Sequence, residues 1–456
     1  MSTVTAIFEQ AWRAHQAGAL PQAEQLYRQV LQVDPGYADA WCFLGAIFQS
    51  QGKLAEAEAN QRRALKLIPD FATAQKCLGI AVAQQGRLEE AAEIFDAMLR
   101  YQTDDAEVYN NQGLVRAQQG RWEEALSNYA QAIALNPDYG DTHWNRALVW
   151  LVQGRFEEGW REYEWRWKQP NFTPRHFKQP MWDGTPLHGR TILLYGEQGL
   201  GDAIQFIRYA RLVQELGGKV IVECHAPLMK LLASVQGIDR LLPFGAALPA
   251  FDVQTPLCSL PFLLGTTLAN VPAQVPYIVA EQGLVAQWKC ELEGVAPSSG
   301  SGLRIGIAWQ GNPTFRDDRW RSIPLTQFAP LSQVEGVRLI SLQKGHGTDQ
   351  LRGVADLFEV LDFGSRLDEA AGPFMDTAAI MKNVDLVITS DTAVPHLAGA
   401  LGVPVWVALP HVPDWRWMLQ REDSPWYPTM RLFRQARDGD WEGVFAHMAA
   451  ELKDFA

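Results

Sequence analysis

The chain has 456 residues, of which 47% are hydrophobic and 20% charged, and a formal net charge of −12. This composition excludes an intrinsically disordered chain, and the acidity excludes a general nucleic-acid binder, which presents a basic face to phosphates. At roughly 150 residues per domain, the length leaves room for about three domains.

The opening MSTVTAIFEQAWRAHQ has neither the basic start nor the apolar core of a secretory signal, and no run reaches the roughly 18 apolar residues of a membrane span. No membrane span and a cytoplasmic location are therefore expected. The five cysteines (Cys42, Cys77, Cys224, Cys258, Cys290) are scattered and form no C-x-x-C pair. That pattern suits a reducing compartment and argues against a disulfide or zinc framework.

The N-terminal third repeats itself. Gly18, Gly52, Gly86, Gly120 and Gly154 lie 34 residues apart, each in or near a phrase such as QGKLAEA or QGRWEEA. Apolar residues fall at helical spacing, small residues sit where two helices approach closely, and Pro69 and Pro137 end second helices. Trp41, Leu44, Gly45, Phe48, Ala57, Ala64 and Pro69 in one unit, with Tyr109, Gly113, Ala125, Tyr129, Ala132 and Pro137 in another, resemble the tetratricopeptide repeat (TPR). The spacing predicts four helix pairs over residues 4–138 and a divergent fifth over 139–168, together a solenoid domain of residues 1–168. One pair cannot bury its apolar face, so the units must stack into an α superhelix with a concave surface. That surface is either a groove for a protein or peptide partner, with Asn110, Asn111 and Asn145 facing it, or a scaffold that joins copies of the chain as a homo-oligomer. Trp160, Tyr163, Trp165 and Trp167 are too apolar for an exposed solenoid end and are expected as core.

Residues 169–189, rich in proline and turn formers, read as a connector. Beyond it β-rich runs (TILLY, KVIVEC, LRIGIAW, VRLISL, LFEVLDF, VDLVITS, PVWVALP) alternate with helical stretches, which predicts βαβ units around parallel sheets. GVAPSSGSG, 294–302, divides this part into two α/β domains, 190–296 and 303–456, with a flexible joint between them. Ligands of such sheets bind outside the carboxyl ends of the strands.

Two turns are expected at such ends. In LLYGEQGLGDAIQF, Gly196, Gly199 and Gly201 follow a strand and open a helix, where unpaired N–H groups favour an anion. The spacing G-x-x-G-x-G is neither the dinucleotide fingerprint nor the P-loop. In VDLVITSDTAVPHLAGALGVPV, Asp391, Thr392 and Ala393 form the turn, Thr392 is a candidate N-cap and His396 lies in the first helical turn.

SDTAVPHLAGALGVPV resembles the phosphate-binding segment of bacterial heptosyltransferases (D-T-G-x-x-H-x-A-x-x-x-G-x-P), and GLGDAIQF is similar to the G-x-G-D turn of their N-terminal domain. The resemblance implies a GT-B pair of Rossmann-like domains; fused to TPR repeats, the layout resembles O-GlcNAc transferases and bacterial flagellin glycosyltransferases. It implies a nucleotide-sugar-dependent, inverting glycosyltransferase; no carboxylate or His pair has ligand spacing, so no metal and no further cofactor are expected. It makes Asp202 the candidate general base, with Glu197 the alternative in the same turn, and Gly199 and Gly201 the close backbone approach. Thr392, Ala393 and His396, beside Asp391, become donors to the diphosphate. Ala393 stands where the family has glycine. The chain lacks the catalytic-domain histidine motif of O-GlcNAc transferases, so the sugar is not implied.

In AWQGNPTFRDDRWRSIPL, Asn312, Arg316, Arg319 and Arg321 follow another strand. The arginines are either cations for the diphosphate, with Arg319 nearest the family's lysine, or are neutralised by Asp317 and Asp318. Lys344 is the corresponding candidate one strand later. RDGDW, 437–441, reads as the cap of the last helix. The rival function is a peptide-binding adaptor whose α/β half senses a nucleotide without transferring sugar.

Overall fold

In the computed structural model, which describes residues 3–101, 104–169, 172, 173, 175–295, 302–315 and 317–455, the five glycines of the repeat phrase all take left-handed φ values between +72° and +86°. Left-handed backbone costs an ordinary L-residue roughly 1–2 kcal/mol. Glycine therefore ends one helix and lets the next reverse. The helices so paired are α1 (Thr3–Gln16) with α2 (Leu20–Val33), α3 (Ala38–Ser50) with α4 (Leu54–Leu67), α5 (Ala72–Gln84) with α6 (Leu88–Leu99), α7 (Ala106–Gln118) with α8 (Trp122–Leu135), and α9 (Gly140–Val152) with α10 (Phe156–Tyr163).

A second set of glycines at the same period has a different cause. A Cβ added at Gly45 would lie 2.5 Å from the Gln61 amide, one at Gly79 would lie 2.6 Å from the Phe95 ring, and one at Gly113 would press into Tyr129. These glycines are the contact points of first and second helices. Gly18 and Gly52 have open space where a Cβ would stand, so only their backbone angle demands glycine.

The chain divides into two compact units: Met1–Val149 with Trp165–Phe172, and Trp150–Glu164 with Thr173–Ala456. The division falls within α9 and differs from the repeat-based boundary at 168. In the second unit Trp160 meets Trp415 edge-on at 5.1 Å and lies near Trp426 and Phe206. In the first unit Trp165 stacks on His143 at 3.7 Å. Trp160 and Tyr163 are thus core residues, of the second unit.

That unit holds two sheets whose strands all pair in parallel. β1 (Thr191–Tyr195), β2 (Lys219–Cys224), β3 (Arg240–Pro243) and β4 (Val253–Pro256) are ordered β3-β2-β1-β4. The second sheet contains β5 (Leu303–Ala308), β6 (Val337–Ser341), β7 (Val360–Leu361), β8 (Leu386–Ser390), β9 (Val405–Leu409) and β10 (Met430–Arg434), in the order β10-β9-β8-β5-β6-β7. Strands with both faces covered read as continuous apolar runs, and β8 and β9 are buried at every residue. Numbered from β5, the second sheet runs 3-2-1-4-5-6, the doubly wound order of nucleotide-binding folds. Winding reverses between β1 and β4 in one sheet and between β5 and β8 in the other. The expected joint falls largely on 296–301, outside the described residues. The cap expected in RDGDW is present: Asp440 accepts from the Gly443 N–H at 3.1 Å.

The two kinds of glycine predict different mutant behaviour. Gly79→Ala should destabilise the repeats by about 1–3 kcal/mol through overpacking, and Phe95→Leu, which removes the tip of the ring, should restore part of the loss. Gly52→Ala should cost about 1 kcal/mol, with no second-site rescue. Circular-dichroism melts of Gly79→Ala and Gly52→Ala, each with and without Phe95→Leu, check both; rescue of neither or equal rescue of both would contradict the distinction.

Candidate functional site

Sheet topology brings the turns after β1, β5 and β8 to positions beside the winding reversals, where such folds bind ligands. After β1, the Gly196 N–H donates to Glu223 O at 2.9 Å, and Gly199 then starts the helix α11 (Leu200–Phe206). Asp202 is the third residue of α11. Its Oδ2 accepts from the Gly199 N–H at 2.8 Å, and its Oδ1 accepts from Nη2 of Arg416. The Gly199 N–H, a candidate ligand donor on sequence grounds, is thus committed to Asp202. Arg416 is 8% exposed; Nη1 donates to Asp414 at 2.9 Å, Nε to Gln205 Oε1 at 2.7 Å, and the guanidinium lies 4.2 Å from the Trp415 ring centre. Glu197, the alternative base, is half-buried in the same turn.

After β8, Thr392 caps the helix Ala393–Ala400, its hydroxyl accepting from the Val394 N–H at 3.3 Å. His396 is 4% exposed and its Nδ1 lies 2.9 Å from the Tyr427 hydroxyl. Burial, aided by the positive field of Arg416, Arg208 and Arg321, holds this imidazole well below its ordinary pKa, so it is neutral at pH 7. The opposite edge of the ring faces α11: a Cβ at Gly201 would stand 3.0 Å from Cδ2 and 3.6 Å from Nε2 of His396, and 3.7 Å from the Ala393 Cα. The two turns singled out in the sequence therefore touch. Asp391, half-buried beside them, is pushed up to about 7 by burial and by the Asp414 carboxylate, against the pull of Arg321 and Arg416.

The polar side chains expected after β5 and β6 make local contacts. Arg321 sits over the Phe315 ring and bonds to buried Asp318 through Nε at 3.1 Å, one of the ion pairs that the alternative reading of the sequence expected. Arg319 lies 4.4 Å from the Trp320 ring centre. Asn312 accepts from the Thr314 N–H and hydroxyl at 3.0 and 2.9 Å, which makes it the hinge of a local turn. Lys344 donates to Leu367 O and, at 3.1 Å, to Glu369, so it is tied to the segment before Met375. Arg316 lies outside the described residues. Among the described residues no three His, Cys, Asp or Glu side chains gather as a metal site, and no helix is long and apolar enough to cross a membrane.

Several polar residues of the site went unread in the sequence. Arg208 donates from Nε to Gln205 O (2.7 Å), from Nη1 to Pro272 O (3.1 Å) and Trp426 O (2.6 Å), and from Nη2 to the Tyr277 hydroxyl (2.9 Å). His225, at the end of β2, lies beside Gly196 and edge-on to Phe244 at 4.8 Å; burial lowers its pKa against the pull of Asp202. The visible signals were WRW at 415–417 and PWYP at 425–428, dense in aromatics between late strands.

In the solenoid, two of the three asparagines expected at a groove bond to one another. Asn110 is buried, and its Oδ1 accepts from the Thr142 hydroxyl at 3.1 Å and the Asn145 amide at 3.0 Å. They tie α7 to α9.

Family models described as "Tetratricopeptide repeat" match residues 14–60 and 48–106, and one described as "TPR repeat" matches 113–154. The N-terminal part carries tetratricopeptide repeats. Protein FlbA of Caulobacter vibrioides is 26% identical over 322 residues, 65% of this chain and 52% of that protein. The chain thus spans about half the length of this curated relative. Among solved structures, TTC0263, a thermophilic TPR protein of Thermus thermophilus, is 22% identical and covers 37% of this chain and 92% of its own, with a TM-score of 0.34. YrrB, a TPR protein with an unusual peptide-binding site, is 19% identical, covers 36% and 86%, and has a TM-score of 0.30.

Asp391 gives the site a pH signature. The unfolded chain ionises this carboxyl near 3.8 and the folded protein near 7. The folded state therefore holds the extra proton between those values, and stability falls by up to about 1.4 kcal/mol per pH unit until the folded pKa is passed. Asp391→Asn should raise Tm at pH 8 and leave it nearly unchanged at pH 4. Scanning calorimetry showing the same difference at both pH values would contradict this environment for Asp391.

Proposed function

We propose that the α/β unit is a GT-B glycosyltransferase that moves a sugar from a nucleotide-sugar donor to an acceptor hydroxyl by inverting displacement without a metal, and that the repeats present a protein acceptor. The observation that carries this reading is the meeting of two turns at winding reversals of parallel sheets: Gly201 lies against His396 and Ala393 of the capped helix that follows β8. One turn supplies donors for an anionic leaving group, and the other a carboxylate for the attacking oxygen.

In this mechanism the acceptor oxygen bonds to the anomeric carbon as the bond from that carbon to the diphosphate oxygen breaks. The acceptor proton passes to Asp202, and the charge that develops on the leaving diphosphate is met by the Ala393 N–H at the start of the helix that Thr392 caps and by neutral His396. Asp202 accepts one bond at each oxygen, from Arg416 and from Gly199. A carboxylate has about four lone-pair sites, so it can take a proton while remaining anchored. The same ion pair also supports the rival reading, an adaptor that senses a nucleotide without turnover, in which Asp202 serves only as cap and counter-ion.

Release of nucleoside diphosphate in the presence of acceptor separates the two. Asp202→Asn should leave nucleotide affinity unchanged or slightly improved and reduce transfer by at least about a hundredfold. His396→Ala should instead weaken donor binding by roughly 1–3 kcal/mol. Near-normal transfer by Asp202→Asn with loss in Glu197→Gln would move the base to Glu197, and full activity of both variants would remove the base from this turn.

A further inference from the structure

A chain of hydroxyl groups behind His396 is biased toward one direction by Arg208. It begins at Arg208, 6% exposed, whose guanidinium can donate but never accept. Nη2 donates to the Tyr277 hydroxyl at 2.9 Å, and that hydroxyl donates its own proton to Ile204 O, also at 2.9 Å. The Tyr277 and Tyr427 oxygens are 3.5 Å apart, and the guanidinium lies 4.5 Å from the centre of the Tyr427 ring. Were His396 Nδ1 to donate to Tyr427, the Tyr427 proton would have to turn toward the Tyr277 oxygen, across that longer gap and toward a cation. The field of Arg208 favours the reverse arrangement. The Tyr427 lone pairs then face the arginine, and its proton goes to Nδ1 at 2.9 Å.

We infer that Tyr427 is a positioning residue that fixes His396 as the Nε2–H tautomer, which leaves on the ring edge beside Gly201 an N–H that donates to an oxygen of a phosphate-bearing ligand. The inference rests on the donor-site reading above and extends it to a residue on a different segment. Which nitrogen of a histidine carries the proton is decided by the bond its other nitrogen makes, and here the partner of Nδ1 is a buried phenol with no exposure to solvent. Trp417 stacks beside the imidazole at 5.3 Å and an interplanar angle of 24°, which limits rotation of the ring. A neutral Nε2–H can donate to phosphate oxygen without bringing a second positive charge beside Arg416.

Long-range proton–nitrogen correlation spectra of ¹⁵N-histidine-labelled full-length protein test the inference, with His396 assigned by its absence in His396→Gln. The spectra are recorded at pH 7.5 without nucleotide, so their outcome is independent of whether any nucleotide binds. The parent should show Nδ1 as the unprotonated nitrogen and Nε2 as the protonated one; the opposite pattern overturns the inference. In Tyr427→Phe, with its fold checked by circular dichroism, the two nitrogen shifts should move toward each other as both tautomers become populated. Parent-like shifts in that variant would overturn the role of Tyr427. Should Tyr427→Phe not fold, the parent spectrum alone still decides the tautomer.

Discussion

The ion pair between Asp202 and Arg416 is the interaction on which the site depends. A guanidinium as buried as that of Arg416 is tolerated only if its N–H groups are met, and here Asp202, Asp414 and Gln205 meet them. Two of these partners are on α11 and the third lies beside Arg416 itself, so the glycine turn after β1 and the segment 414–417 hold each other in place. Removing the Arg416 charge would leave the Asp202 and Asp414 carboxylates without it, whereas removing that of Asp202 leaves Arg416 paired with Asp414. Arg208 makes a similar join at the end of α11, reaching Pro272, Trp426 and Tyr277. Two arginines thus determine how closely Gly201 approaches His396.

This arrangement also constrains the chemistry. Asp202 and Asp414 act on Arg416, and Asp414, Arg321 and Arg416 act on Asp391, so the anionic ligand proposed above would enter a cluster that already contains several carboxylates. Asp391, pushed up to about 7, is only part-ionised near neutral pH, which lightens that negative charge. A neutral His396 adds a donor without adding a positive charge, and the N–H groups that follow Thr392 contribute partial charges alone. In the reaction proposed above, developing negative charge would thus be met mainly by oriented dipoles, which need no reorganisation as the charge appears.

The repeats were legible in the sequence because one physical requirement recurs every 34 residues. A left-handed turn and a close helix contact each demand glycine, and no other residue can replace it cheaply. The alternation of apolar runs with helical stretches likewise exposed seven strands. β3, β4 and β10 were missed because RLLP and VQTP are short and end in proline, and MRLFR carries two arginines. The glycine phrase continues through Gly154, which hid the fact that Trp150–Glu164 pack with the α/β unit. Both turns of the site were readable, since strand, glycine turn and N-cap are local signals. Arg416, Arg208 and Tyr427 were not, because their roles depend on partners some 70 to 220 residues away or on a neighbour's hydrogen bond. Asn312 and Lys344 show what such a reading leaves out: a polar residue after a strand can also close its own loop.

Calorimetric titration of the full chain with UDP, ADP, GDP and CMP tests the central claim most directly, that the turn after β8 holds the phosphates of a nucleotide against the turn after β1. The account predicts saturable binding of at least one nucleoside diphosphate below millimolar concentration, with one base preferred. Absence of binding by all four at millimolar concentration would contradict it.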